Sequence, residues 1–171
     1  RHSSSAASDV YKRQNKDYLK LSENEKIQFL KKQIISKKNQ IKKFQFKNKE
    51  NKEVWSTFKI LANQPSECLG AYVISMTTSA SDILSVSYLQ KEANIKNRLR
   101  VVPLFETLDD LINSKEIMEK LFSQSWYRKM INNDQEVMIG YSDSSKDAGK
   151  ICASWHPVSY THLRAHETES N

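Results

Sequence analysis

Apolar residues recur at helical spacing in the first third of the chain and predict two amphipathic helices there. The first helix begins at the capping box Ser22-Glu23-Asn24-Glu25. Its apolar stripe consists of Ile27, Leu30, Ile34 and Ile41. The second stripe consists of Val54, Trp55, Phe58, Leu61 and Ala62, and it ends near Gln64-Pro65-Ser66. Each stripe is typical of a helix that packs one face on a core.

Three apolar runs in the remainder of the chain predict strands that alternate with helices. The predicted strands are Ala71–Met76, Leu99–Phe105 and Glu136–Tyr141. Helical patterns follow at 81–93, from 107 to about 131 and from about 146, and Ser114 and Ser125 are predicted N-caps that divide the second pattern. Strand-to-strand intervals of about 30 to 37 residues are typical of βα units. The predicted fold class is α/β, with about three parallel strands preceded by α-helices.

Two of the predicted strands end near a carboxylate, at the sheet edge where parallel folds carry their chemistry. Glu106 follows the second strand directly, and Asp143 follows the third after a short turn. Neighbouring parallel strands lie about 4.8 Å apart, so these two acids would be able to share one divalent cation. The alternative is that they only cap helices. For Asp109 and Asp110, which follow Thr107, capping is the favoured interpretation.

Four consecutive motifs closely resemble phosphoenolpyruvate carboxylase in their order, spacing and residues. They are Ala71-Tyr72-Val73-Ile74-Ser75-Met76, the helix from Ser81-Asp82-Ile83-Leu84 to Leu89-Gln90-Lys91-Glu92-Ala93, Leu99–Leu111, and Trp126-Tyr127-Arg128 with Gln135–Gly149. A weaker resemblance begins near Tyr18, so the resemblance covers about residues 15–155. Ser144-Ser145 departs from the Ser-Gly that is commoner in this family loop. The resemblance implies a partial TIM-type β/α barrel, which is a slice of a large and mainly helical enzyme.

The resemblance also implies a reaction and a set of site residues. The parent enzyme would form oxaloacetate and phosphate from phosphoenolpyruvate and bicarbonate, with Glu106 and Asp143 as ligands of Mg²⁺ or Mn²⁺. Lys146 matches the family's active-site lysine, so it would be a catalytic and substrate-binding residue that holds bicarbonate or the phosphate leaving group. Without the resemblance, a solvated Lys146 paired with Asp143 or Asp147 would be the favoured interpretation. The family's catalytic histidine and its Gly- and Arg-rich loop have no counterpart here, so we expect the chain alone to be inactive.

The resemblance further implies a homotetramer that serves carbon dioxide fixation and the tricarboxylic acid cycle. Cys68 and Cys152 lack metal-ligand spacing and the density of a disulfide framework, so a reduced, cytoplasmic setting is expected. No stretch of about 18 apolar residues is present, so no membrane span is expected. With only three glycines, the chain also lacks a Gly-rich phosphate loop of the nucleotide-binding kind.

The charge of the chain supports an alternative function. The formal net charge is +7, and residues 15–66 carry 13 lysines against five acids, whereas residues 67–157 carry 10 basic and 12 acidic residues. The segment Lys31–Lys52 would suit a nonenzymatic basic helical binding module. Lysine rather than arginine supplies its charge, and only Phe44 and Phe46 interleave it, so a solvated helical face is favoured and neither nucleic acid nor a membrane is expected as a partner. A second alternative is another metal-dependent phosphoenolpyruvate or pyruvate barrel enzyme.

The residues at the two ends of the chain are both explained as translations of one DNA element. The codons GAT GTG TAT AAG AGA CAG encode Asp9-Val10-Tyr11-Lys12-Arg13-Gln14, and their reverse complement contains GTC TCT TAT ACA CAT, which encodes Val158-Ser159-Tyr160-Thr161-His162. One inverted DNA element therefore accounts for both ends, and it resembles a translated transposase adapter. We expect residues 1–14 and 158–171 to be disordered adapter sequence, residues 15–67 to form a helical segment and residues 68–157 to form βα units of the catalytic barrel.

Overall fold

A computed structural model describes residues 18–38 and 49–140 of the chain. Helix α3 (Ala80–Glu92) is the element on which the other helices of its unit pack. Of the described residues, 18–38, 49–72 and 79–101 belong to this first of two units. Helices α1 (Glu23–Ile35) and α2 (Lys49–Ala62) both contact α3. Eleven of the 13 residues of α3 are buried, and they include the serines Ser81, Ser85 and Ser87, so this helix has no exposed polar face of the usual width.

Both predicted amphipathic helices are confirmed. Ile27, Leu30 and Ile34 are buried on α1, and Trp55 and Phe58 are buried on α2. Ile41 lies outside the described residues.

The predicted capping box at the start of α1 is also confirmed. The Glu25 carboxylate accepts hydrogen bonds from the Ser22 hydroxyl at 2.7 Å and from the Ser22 N–H at 2.8 Å. These hydrogen bonds, the side-chain one above all, lower the pKa of Glu25 below its ordinary value.

The N terminus of α3 is tied to α1 by side chains that are distant in the sequence. The Glu23 carboxylate accepts from the Ser81 N–H at 2.7 Å and from the Ser81 hydroxyl at 3.0 Å. The Asp82 carboxylate in turn accepts from the Ser79 N–H at 3.0 Å. The Ser81 N–H, which has no carbonyl partner within the helix, is thereby satisfied by Glu23, and these bonds tie α3 to α1.

The connection from α3 to the next strand is held by one amide side chain. Gln90 is fully buried; its amide nitrogen donates to the Leu99 carbonyl at 3.1 Å and its amide oxygen accepts from the Leu99 N–H at 2.7 Å. Asn94, just beyond α3, has a φ of 59°, a left-handed conformation that asparagine tolerates better than most residues. This turn directs the chain into the strand that follows.

Of the described residues, 73–78 and 102–140 belong to the second unit. The chain forms a three-stranded sheet in the order β1 (Ala71–Ile74), β2 (Arg100–Phe105), β3 (Met138–Ile139). The sheet is parallel, and Leu104 pairs with Met138 and Phe105 with Ile139. Val101, Val102 and Phe105 are buried, as expected for a strand of a parallel sheet with a continuous apolar run. The α/β class is confirmed, although β1 and β3 are shorter than predicted.

Helices α4 (Leu108–Phe122) and α5 (Ser125–Met130) follow β2 and contact each other. The predicted break near Ser125 is confirmed, but Ser125 as its N-cap is wrong, because Ser125 is the first residue of α5 and Gln124 is the N-cap. The predicted break at Ser114 is wrong. Ser114 is buried inside α4 and its hydroxyl donates to the Leu111 carbonyl of the same helix, so a serine in the middle of the helix has satisfied its own polar group. The predicted helix from about residue 146 lies outside the described residues.

A buried tyrosine holds the segment that leads into β3. The Tyr127 hydroxyl donates to the Gln135 amide oxygen at 2.6 Å. Burial raises the pKa of Tyr127 above its ordinary value, so the hydroxyl remains a donor at physiological pH.

Within the described part of the chain, no helix combines the length and the apolar character that a bilayer crossing requires, and α4, at 15 residues, is the longest of them.

We expect the 171-residue chain on its own to be only marginally stable. The described sheet has two open edges, and several large apolar side chains are exposed, namely Leu19, Ile35, Ile60, Val73 and Ile112. The free energy of unfolding should therefore lie below about 5 kcal/mol, the lower end for stable domains. Urea unfolding followed by circular dichroism measures it, and binding of a hydrophobic dye reports the exposed surface. A sharp transition well above that value, without dye binding, would contradict the prediction.

Candidate functional site

Glu106 lies directly after β2, as the sequence predicts, and β2 is the central strand of the sheet. The residue follows Phe105, the last residue of β2, whose register partner is Ile139 of β3. The hydrogen-bonding pattern continues one step further, because the Gly140 N–H donates to the Phe105 carbonyl at 3.0 Å. Glu106 and Gly140 are therefore neighbours at the edge of the sheet where β2 and β3 end.

The Glu106 side chain lies directly against the Gly140 backbone. A Cβ atom placed on Gly140 would lie 3.0 Å from Glu106 Cγ and 3.4 Å from Glu106 Cα. The side chain is half-buried, and within residues 18–38 and 49–140 its carboxylate has no hydrogen-bond or ion-pair partner. A carboxylate at a strand end without a described partner is available to an external cation.

The acids that follow Glu106 have the capping role that the sequence indicates. The Asp110 carboxylate accepts from the Thr107 N–H at 3.1 Å and from the Glu106 N–H at 3.3 Å. The Thr107 hydroxyl accepts from the Asp110 N–H at 3.1 Å, which completes a capping box at the start of α4. Asp109 is exposed in the first turn of the same helix. Asp110 therefore also holds the backbone of Glu106 in place.

Asp143 and Lys146, the other two predicted site residues, lie outside the described residues. Among the described residues no group of three or more His, Cys, Asp or Glu side chains is arranged to hold a metal ion. Glu106 by itself has the donor chemistry that fits Mg²⁺ or Mn²⁺, because both cations prefer carboxylate oxygens and retain open positions for water or substrate. The metal assignment of the pair Glu106 and Asp143 stays a prediction.

No role is predicted from the sequence for two residues near this edge, Gly140 and Met76. Gly140 belongs to the motif Gln135–Gly149, and a glycine directly after an apolar strand is a known signal for close backbone approach. Met76 lies just beyond the carboxyl end of β1 with a φ of 54° and an exposed side chain. The adjacent Thr77 is buried, and its hydroxyl donates to the Ile74 carbonyl at 3.4 Å. No sequence signal predicts a left-handed methionine, because this conformation is uncommon for residues other than glycine, asparagine and aspartate.

Comparison with known proteins connects this geometry with one family. A family model described as phosphoenolpyruvate carboxylase matches residues 1–162. The chain is 52% identical over 139 residues to the phosphoenolpyruvate carboxylase of Aliivibrio salmonicida (strain LFI1238), which covers 81% of this chain and 16% of that protein. It is 58% identical over 109 residues to the C4 phosphoenolpyruvate carboxylase of Flaveria trinervia, and 55% identical over 109 residues to phosphoenolpyruvate carboxylase 3 of Arabidopsis thaliana. Each of these two alignments covers 64% of this chain and 11% of the relative. The chain thus spans between a tenth and a sixth of the length of these curated relatives.

Proposed function

Because the chain belongs to the phosphoenolpyruvate carboxylase family, we propose that it is part of the catalytic barrel of an enzyme that forms oxaloacetate and phosphate from phosphoenolpyruvate and bicarbonate. The observation that carries the proposal is the position of Glu106. Its carboxylate stands at the carboxyl end of a buried parallel strand, next to Gly140, which leads into the segment with Asp143 and Lys146. Active sites of β/α barrels are built at this end of the strands.

In this proposal Glu106 and Asp143 hold one Mg²⁺ or Mn²⁺. Asp143 follows Gly140 by three residues, and three residues of chain span at most about 10 Å, so the sequence permits both carboxylates to reach one cation. The cation would supply positive charge near the substrate oxygen on which negative charge develops. Glu106 supplies a fixed anionic ligand from a rigid strand end, which makes its orientation independent of a long loop.

Lys146 acts on the other reactant in this proposal. Its ammonium group is a compact charge with three donors, which suits bicarbonate or the phosphate that leaves. In the proposed reaction, bicarbonate attacks the phosphorus atom and the P–O bond to the enolate breaks, which gives carboxyphosphate and the enolate of pyruvate. Carboxyphosphate then decomposes to carbon dioxide and phosphate, which keeps the proton of bicarbonate, and the enolate carbon adds to the carbon dioxide to form oxaloacetate. Binding both reactants in one site lowers the entropic part of the activation free energy of the reaction.

The remainder of the proposal concerns the whole protein. The three parallel strands with their helices would be consecutive βα units of a TIM-type barrel. The parent would be a homotetramer in the cytoplasm, with phosphoenolpyruvate and bicarbonate as substrates and with roles in carbon dioxide fixation and the tricarboxylic acid cycle. Neither nucleic acid nor a membrane is a partner in this proposal.

The test is expression of the full reading frame that contains this chain. We expect oxaloacetate formation that requires phosphoenolpyruvate, bicarbonate and Mg²⁺ or Mn²⁺ together, measured by coupling to malate dehydrogenase and following the oxidation of NADH. Turnover of phosphoenolpyruvate that does not depend on bicarbonate would favour another barrel enzyme that uses phosphoenolpyruvate or pyruvate. Absence of turnover, with heparin or DNA binding that weakens steeply with salt, would favour the basic binding module.

A further inference from the structure

We infer that Gly140 is a positioning residue for Glu106: its missing side chain leaves the space that the Glu106 side chain occupies at the end of β2. The inference rests on the proposed function, in which Glu106 is a metal ligand. A Cβ atom at position 140 would come within 3.0 Å of Glu106 Cγ and within 3.4 Å of both Glu106 Cα and Cβ.

The backbone conformation does not require a glycine at this position. The φ of Gly140 lies outside the left-handed region, so an alanine would adopt the same backbone without conformational strain. The requirement is therefore one of space. Among the described residues, the three atoms nearest to such a Cβ atom all belong to Glu106.

The two backbones cannot move apart freely to make room. The Gly140 N–H is bonded to the Phe105 carbonyl at 3.0 Å, and the Glu106 N–H is bonded to the Asp110 carboxylate at 3.3 Å. Moving either backbone away would weaken a hydrogen bond at the end of the β2–β3 pair or at the cap of α4. The flexible Glu106 side chain is the part that yields most easily, so a methyl group at residue 140 should turn the carboxylate away from its position.

The chain provides a matched control for this substitution. Nothing lies within 4 Å of a Cβ atom built on Gly70, and Gly70 also lies outside the left-handed region. Gly70→Ala therefore has the same effect on the unfolded chain as Gly140→Ala, without a new contact in the folded protein.

The experiment uses the full-length enzyme and measures Mn²⁺ binding directly by electron paramagnetic resonance. We expect Gly140→Ala to raise the Mn²⁺ dissociation constant about 10-fold, the lower range for loss of a group that orients a metal ligand. Gly70→Ala should leave it unchanged. An unaltered dissociation constant in Gly140→Ala, together with a large increase in Glu106→Ala, would overturn the inference and leave the proposed function intact. An unaltered dissociation constant in Glu106→Ala would instead remove Glu106 from the metal site, and the metal assignment would fail with it.

Thermal unfolding of the metal-free enzyme provides a readout that does not depend on metal binding. Glu106→Ala removes the Cγ atom that a methyl group at residue 140 would meet. We therefore expect Gly140→Ala to lower the melting temperature in the wild-type background and to lower it much less in the Glu106→Ala background, which is the coupling expected of residues in contact. An equal decrease in both backgrounds would show that Gly140 acts on another part of the protein, and the inference would be wrong.

Discussion

Glu106→Gln in the full-length enzyme is expected to lower the rate of oxaloacetate formation by about 10²–10³-fold, the effect of losing one group that stabilises charge in a transition state. The substitution keeps the shape of the side chain and removes its negative charge. Because the Glu106 carboxylate has no partner among the described residues, this loss should leave the fold unchanged and weaken cation binding. Initial rates across a Mn²⁺ titration measure both effects. Asp143→Asn should give a decrease of the same order.

Asp110→Asn is the matched control, because it removes a carboxylate four residues along from Glu106. Asp110 caps α4, and an asparagine oxygen can still accept from the N–H groups of Glu106 and Thr107. Its loss of charge should change stability by about 1 kcal/mol or less and leave the metal requirement unchanged. Near-normal activity and metal affinity in Glu106→Gln or in Asp143→Asn would remove that residue from the site. A metal defect confined to Asp110→Asn would show that a different carboxylate binds the cation.

The sequence predicted those features of the fold that depend on local patterns. An apolar run that stops at a carboxylate placed Glu106 at the end of a strand, and Thr107 followed by Asp110 indicated the cap of α4. Both are properties of a few adjacent residues. The break predicted at Ser114 shows the limit of local signals, because serine suits an N-cap and also bonds to a carbonyl within its own helix.

Sequence patterns did not predict the features that depend on residues distant in the chain. Glu23 caps α3 across 58 residues, and no spacing rule connects those two positions. The contact between Gly140 and Glu106 depends on the register of two strands, which the hydrophobic pattern alone does not fix to one residue. The metal pair and Lys146 depend in addition on the resemblance to the family, since their chemistry is equally compatible with solvated surface charges.

Lys146→Met in the full-length enzyme is expected to lower kcat/KM for bicarbonate by about 10²-fold. The methionine keeps much of the apolar stem and removes the ammonium charge that, in the proposed function, holds bicarbonate or the leaving phosphate. Lys146→Arg retains the charge but spreads it over a planar fork, so it should restore only part of the lost activity. Initial rates at varied bicarbonate, with Mn²⁺ and phosphoenolpyruvate saturating, provide the measurement.

Mn²⁺ binding is the control measurement for the Lys146 variants. If Lys146 acts on a reactant, Lys146→Met should leave the Mn²⁺ dissociation constant near its wild-type value, whereas Glu106→Gln should raise it. A solvated lysine paired with Asp143 or Asp147 would behave differently, because its loss would cost less than about 1 kcal/mol of stability and leave kcat/KM unchanged. That outcome would remove Lys146 from the catalytic residues. A changed Mn²⁺ affinity with an unchanged bicarbonate dependence would instead assign Lys146 to the orientation of Asp143.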